Sequence, residues 1–436
     1  MELEIKPAAR LLEQWADLSP EERVATFRAL PPEEANVCFW EMGARHQLEL
    51  LRELPPAERR LWLRALAPDD AADVLQLAGK EERHQLLGEL DDVARREVNA
   101  LMAYEEDAAG GLMSPRFVRL RPDMTTDEAI VYLRRQAGQV ETIYYAYVLD
   151  DEQRLLGVVS FRQLFGADPR KRVREIMRTE VISATTDLDQ ESVAKLVRDN
   201  RLLAVPVLDA QGRMVGIVTV DDIVDVVQEE ASEDIQKIGG LEALDAPYLE
   251  IGFWQMVKKR GGWLAILFMG EMLTATAMSH FEDEIARAVV LALFVPLIIS
   301  SGGNSGSQAA TLVIRAMAVR EVRLRDWWRV MRRELFAGLT LGSLLAFIGV
   351  IRILVWQSIW HPYGEHYLGV ALTVGTSLVG VVLFGTIAGS MLPFLLRRVG
   401  LDPASASAPF VATLVDVSGL VIYFTVASML LRGTLL

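Results

Sequence analysis

The sequence predicts a multi-domain membrane protein: an all-α helical N-terminal domain, an α+β pair of repeats, a connecting helix and a five-span α-helical transmembrane domain. Three observations carry this. Five apolar stretches crowd into the last part of the chain, each long enough to cross a bilayer. A segment of roughly sixty residues occurs twice in the middle. Charge is split between the halves: residues 1–260 hold 49 acids against 33 bases, and the remainder holds ten acids and twelve bases. An acidic surface repels nucleic acid and attracts cations, so nucleic acid is not an expected partner and metal binding is worth testing, although by itself the charge reads first as a means of solubility.

Residues 1–112 read as short amphipathic helices. "LSPEERV", "LPPEEAN", "LPPAERR" and "LAPDDAA" each set proline just ahead of acids that suit a helix's first turn. Their even spacing suggests a right-handed stack of helical hairpins. The single cysteine, Cys38, excludes an intramolecular disulfide and a Cys-based zinc cluster. The opening residues lack an apolar core behind a basic start, so no signal peptide is expected and the N-terminal domains are expected in the cytoplasm.

Residues 113–230 contain the repeat, as copies 113–170 and 177–230. "MSPRFVRLRPDMTTDEAIVYLRRQ" aligns with "MRTEVISATTDLDQESVAKLVRDN", and "YVLDDEQRLLGVVSFRQLF" with "PVLDAQGRMVGIVTVDDIV". Each copy reads as a short strand, a capped helix, a strand, a turn, a "G-[VI]-V" strand and a second helix. This resembles a tandem cystathionine-β-synthase (CBS) pair, a ligand-sensing module. In many CBS motifs a "G-x-x-[ST]-x-x-D" run holds a nucleotide ribose. The second copy keeps it as Gly216, Thr219 and Asp222, whereas the first has Gly157, Ser160 and Gln163. The resemblance thus implies one adenine nucleotide, ATP, at Thr219 and Asp222, or none, as in many such pairs.

A charged connecting or plug helix, 227–248, leads to a membrane domain over 260–436. Its spans are expected at 262–281, 288–317, 335–356, 368–396 and 406–430. "KKR" precedes the first span and seven arginines follow the second, so those ends are expected in the cytoplasm. An odd number of spans then sets the C-terminus outside.

The second span carries "SSGGNSGSQAA", residues 300–310. Polar, flexible residues at membrane depth suggest a broken helix lining a water-filled pathway. The alternative is close helix packing of the small-xxx-small type through Gly302 and Gly306. Asn304 and Gln308 favour the pathway. The last span carries Asp416, a lone acid whose cost in hydrocarbon demands water, a proton or a cation. In a two-fold dimer it would supply two carboxylates to one divalent ion. Oxygen ligands without His or Cys point to magnesium, calcium or manganese, and a sparse site with room for bound water suits magnesium.

"YEEDAAGGLMSP", "ETIYYAYV", "GIVTVDDIVDV", "SGGNSGSQAATLVIRA" and "PFVATLVDVSGLVIYF" resemble the MgtE family of magnesium channels, as does the order of parts. The resemblance implies a homodimer in the lipid of the cell membrane with its pore between subunits. It implies Asp416, Ala412 and Asn304 at the ion, with Gly302, Gly303, Ser305, Gly306, Ser307, Gln308, Pro409 and Thr413 lining the pore. The chain departs from the family at Ala408 and Ser307, where asparagine is common. Glu271 has no counterpart; it is either a second pathway acid or a protonated, packed one, the latter preferred.

The resemblance also gives the acidic half a role as a magnesium sensor that closes the pore. It implies regulatory ligands Asp69 and Asp73 in the N-domain, Asp189, Glu191, Asp222 and Asp225 in the CBS pair, and Glu230, Glu233 and Asp234 on the plug helix. Arg201 stands where another sensor acid is expected, paired with a neighbouring carboxylate. Competing readings are a secondary transporter coupled to sodium or protons and a CBS-regulated anion channel, which Asp416 opposes. No nucleophile, base and oxyanion arrangement argues for an enzyme.

Overall fold

Seven helices of ten residues begin at a strict interval of twelve: α2 (Pro20–Ala29), α3 (Pro32–Glu41), α4 (Ala44–Glu53), α5 (Pro56–Ala65), α6 (Pro68–Leu77), α7 (Lys80–Glu89) and α8 (Asp92–Leu101), after a shorter α1 (Pro7–Glu13). This is the computed structural model of the chain; it describes residues 7–432 together with Leu435. Proline at the first helical position starts four of the seven, since its missing N–H has no helical partner to lose. Alternate helices pack on one another, α2 on α4, α4 on α6 and α6 on α8. Arginines follow the same period. Arg23, Arg83 and Arg95 each donate to a carbonyl eight residues back, at Trp15, Leu75 and Leu87, satisfying the open end of the preceding helix.

The repeats fold alike. The first comprises β1 (Val118–Leu120), α10 (Thr126–Gln136), β2 (Tyr145–Leu149), β3 (Leu155–Ser160), α11 (Phe161–Gly166) and the short α12 (Val173–Ile176), preceded by α9 (Ala109–Leu112). The second comprises β4 (Ala184–Thr185), α13 (Gln190–Asn200), β5 (Ala204–Leu208), β6 (Met214–Thr219) and α14 (Val220–Ile238). In both sheets the first pair is parallel and the second antiparallel, with an irregularity at the same point, Val148/Leu149 and Val207/Leu208.

The lead-in of each repeat crosses to the other. Ser114 exchanges backbone bonds with Ile217, and Arg178 with Val158. This explains the shared glycines without reference to a ligand. A Cβ on Gly216 would lie 2.7 Å from Met113, and one on Gly157 2.7 Å from the Arg178 carbonyl.

Contacts divide the chain into two units after Glu230, a division that α14 spans. The expected plug helix over 227–248 is the end of α14 and stops at Ile238, because Gly240 takes a left-handed φ of 75° that ends the helix. Residues 241–252 are turns and irregular backbone.

The second unit holds five apolar helical spans: α15 (Phe253–His280), α17 (Val289–Ala292) with α18 (Val295–Ala318), α19 (Trp327–Trp360), α20 (Tyr367–Arg398) and α21 (Ala408–Leu430), with a short α16 (Glu282–Arg287). The second span is not broken at 300–310: α18 is continuous there, and the interruption falls earlier, at Leu293 and Phe294. The Gly/Ser run stays helical because α20 fits against it. A Cβ on Gly385 would lie 2.4 Å from the Gly302 carbonyl oxygen, and one on Gly389 2.1 Å from that of Gly306. Close packing through small residues, the alternative reading, accounts for those glycines. The first span, α15, buries no residue; it meets α21, where Gly270 admits the Thr413 methyl.

Candidate ion pathway and acidic seam

Asp416 lies two turns into α21 and is half-buried. Facing it on α18 is Gly303, whose Cβ would stand 3.8 Å from the Asp416 Oδ1 and 3.6 Å from Ala412. With hydrogen there instead of a side chain, the carboxylate stays uncovered. Among the described residues no base pairs with it, although Glu271 lies within electrostatic reach. Glu271 itself is exposed on α15, so it is not a packed acid within this chain.

The pathway candidates divide by face. Gly302, Ser305 and Gly306 are buried toward α20, where Ser305 shares a 2.8 Å hydrogen bond with Thr386. Asn304 and Gln308 are exposed one turn apart. Gly303 and Ser307 meet α21: the Ser307 hydroxyl donates to the Ala408 carbonyl at 3.0 Å, so the two positions that depart from the family touch each other. Thr413 turns its hydroxyl to the Pro409 carbonyl at 3.1 Å. A one-dimensional pattern does not distinguish these faces.

In the first unit, acids of α6 face acids of the CBS pair. Asp69 is 8% exposed, and its Oδ1 has no hydrogen-bond partner. Burial pushes its carboxyl well above the usual range, and Asp222, Glu141 and Asp70 push the same way. Asp73 is raised to about 7 by burial and then by Asp70, Glu106, Asp222 and Glu229. Asp222 is raised to about 7 by burial, although Thr219 donates to it from both N–H and hydroxyl, at 3.1 and 2.6 Å. An unpartnered buried carboxylate among like charges is what a divalent cation would relieve. Among the described residues no three such groups are gathered tightly enough to enclose an ion. Glu106 and Glu141 were not among the expected ligands. They lie far from α6 in sequence, inside "YEEDAAGGLMSP" and "ETIYYAYV", two segments that carry the resemblance but to which no ligand role was attached.

The other expected regulatory acids have different neighbours. Asp189 caps α13, accepting from Ser192 N–H at 3.1 Å. Glu191 pairs with Lys195, and Glu230 accepts from Gln190 at 2.8 Å. Asp225 is exposed. Glu233 pairs with Lys237, which also reaches Asp402 at 2.7 Å. Burial alone would lower the Lys237 pKa, but Asp402 and Glu233 more than offset it and raise the value. Asp234 lies on the same helix. Arg201 takes the left-handed cap of α13 with φ 53°, is exposed, and makes no ion pair with a described residue, contrary to the pairing expected of it.

At the expected ribose site Thr219 donates to Asp222 from both N–H and hydroxyl, and Asp222 lies within electrostatic reach of Glu141 and of Asp69 on α6. A cavity lies at the other half of the pair. About 330 Å³ is lined by Tyr145, Tyr147, Ser160, Arg162, Gln163 and Arg178, with Leu202 and Pro206 from the second repeat. Tyr147 is 1% exposed and its hydroxyl has no partner.

Family models match in the same order as these parts: an MgtE intracellular N domain over residues 6–107, CBS domains over 109–170 and 173–229, and a divalent cation transporter domain, MgtE, over 295–426. The chain is similar to the magnesium transporter MgtE of Thermus thermophilus, 48% identical over 339 residues, which is 78% of this chain and 73% of that protein. It is 36% identical to the Enterococcus faecalis magnesium transporter MgtE, over 77% of this chain and 72% of that protein. Among solved structures, a cytosolic domain of the Mg2+ channel MgtE in complex with ATP matches 51% of this chain and 91% of its own, at 46% identity and a TM-score of 0.48.

Proposed function

The chain belongs to the MgtE family of magnesium transporters, and from that premise we propose that it is a magnesium-selective channel gated by magnesium, working as a homodimer in the cell membrane. One observation carries the filter: Asp416, a half-buried carboxylate on a membrane span, is left open by Gly303 and unpaired with any described base. Mirrored across a two-fold axis, it offers two negative charges to a doubly charged ion. Magnesium sheds water reluctantly, so the carboxylates act on its hydration shell, with the Ala412 carbonyl and Asn304 amide as further polar contacts.

The gate is the acidic seam. Asp69, Asp73 and Asp222 would hold the regulatory ion, whose charge offsets their repulsion and favours the packed state; Asp189, Glu191, Asp225, Glu230, Glu233 and Asp234 supply further weak sites. Only differential affinity shifts such an equilibrium, and several weak sites acting together make the response steep. A nucleotide, if it tunes the gate, occupies the cleft at Arg162 and Arg178, where two guanidiniums can meet phosphate. The arginine-rich connection between α18 and α19 faces the cytoplasm and the C-terminus faces outward.

The test is uptake by a magnesium-starved, transport-deficient bacterium. Asp416→Asn keeps the side chain's shape and removes its charge. Uptake should fall roughly a hundredfold, equivalent to about 2.7 kcal/mol, and unchanged rescue would remove the filter. Coupled transport remains the second reading, on the exposed Glu271 beside Asp416. Single-channel currents that follow the magnesium gradient alone, unaffected by a proton or sodium gradient, would exclude it.

A further inference from the structure

All twelve basic residues after residue 260 are arginines, and seven of them, with two adjacent tryptophans, fall between Arg315 and Arg333. This connection is held in place. Val322 and Val330 pack against Val313, Met317 and Phe394, which ties the start of α19 to the end of α20, where Arg397 and Arg398 follow. The arginines point outward from that platform, every one of the nine exposed. Few described acids answer them: Asp326 lies 3.3 Å from Arg329, Glu321 lies 3.9 Å from Arg315, and Glu334 is within electrostatic reach of Arg333. Arg325, Arg332, Arg333, Arg397 and Arg398 make no ion pair with a described residue. Between them Trp327 and Trp328 are 47% and 59% exposed, their rings edge to face at 5.6 Å.

We infer that this patch binds the headgroups of anionic phospholipids. Three properties of the patch select that partner. Guanidinium forks match phosphate oxygens two at a time, which an ammonium does not. Exposed indoles beside a membrane span prefer the headgroup level, where one edge is wet and the ring is not. Basic clusters at the end of a membrane helix are drawn to negative surface potential, each charge strengthening the attraction about fivefold. The surface lies on the membrane domain alone and depends neither on the identity of the transported ion nor on the gate.

The experiment uses the full-length protein in detergent, incubated with equimolar dioleoyl phosphatidylglycerol and dioleoyl phosphatidylcholine, repurified and assayed for retained lipid. Phosphatidylglycerol should be retained at least tenfold over phosphatidylcholine, and R325Q/R332Q/R333Q should abolish that preference. The charge-conserving R325K/R332K/R333K should keep only part of it. Should the glutamine variant not fold, R397Q/R398Q and W327A/W328A provide the same readout, each expected to reduce retention severalfold. Equal retention of the two lipids by wild type, or an unchanged preference in a folded variant, overturns the inference. So does full competition by millimolar glycerol 3-phosphate, which would make this a site for soluble phosphate esters. Unchanged lipid retention with faster proteolysis of residues 1–230 would instead assign the arginines to the chain's own acidic unit.

Discussion

Asp416 and the seam of Asp69, Asp73 and Asp222 are both carboxylates drawn out of water, yet their surroundings are opposite. Around Asp416 the neighbours are small: Gly303 and Ala412 leave one face open, with the exposed Glu271 within electrostatic reach. Around Asp69 the neighbours are other acids, and the carboxyl is closed in with an oxygen that finds no donor. An open lone charge attracts an ion weakly enough to release it, as conduction requires. A crowded, buried group gains most when the ion stays. The same residue type thus suits passage in one place and sensing in the other, through neighbour size and charge alone.

The largest expected effect breaks the open site by its packing. Gly389→Leu sets a side chain where even a Cβ meets the Gly306 carbonyl at 2.1 Å, so α18 and α20 must part. The membrane domain should lose about 3 kcal/mol or more, read as loss of a monodisperse, thermally protected species in detergent. Gly303→Ala makes only ordinary contacts and should fold normally, whereas Gly303→Leu should fold yet reduce uptake by covering Asp416.

Next comes the crowded site. At pH 8, where Asp73 is ionised, Asp73→Asn removes a repelling charge, so protection of residues 1–230 from protease should rise without magnesium, by about 1–2 kcal/mol. Asp69→Asn should act likewise only to the extent that Asp69 is ionised. The further gain on adding magnesium should shrink. Increased magnesium dependence in either variant would contradict the seam.

Protons should mimic the ion in part. Asp73 and Asp222 are raised to about 7 by burial and neighbouring acids, above their unfolded values. A raised carboxyl contributes stability that is complete below the ordinary carboxylate range and lost as pH rises through about 7. Without magnesium, protection should therefore increase from pH 8 to pH 5.5, and the magnesium-induced increment should decrease. The smallest effect is expected at Arg201→Asp, since Arg201 is exposed and acts on none of the three seam acids. The midpoint of magnesium-induced protection should move less than about twofold.

Much of the fold was legible because local chemistry repeats. Proline before acids marks the N-domain helices, glycine in "G-[VI]-V" marks the third strand of each repeat, and apolar length marks the spans. The site was legible in part. Asp416 stands out as a charge in an apolar run, but Asn304 and Gln308 favour a broken helix where the glycines at 302 and 306 instead make a helix contact. Their α20 partners, Gly385 and Gly389, lie more than eighty residues away. The ribose motif is complete only at Thr219 and Asp222, yet a cavity also forms around Ser160 and Gln163, where the motif lacks its acid.

By itself the sequence determined which segments become helices or strands, which of them seek lipid, and that an acid had to be accommodated among them, because these follow from neighbours within a turn or a pleat. Tertiary structure alone decided which carboxylate stays open and which is crowded. Those depend on desolvation and on distances between groups remote in the chain, and both exist only after the elements have packed.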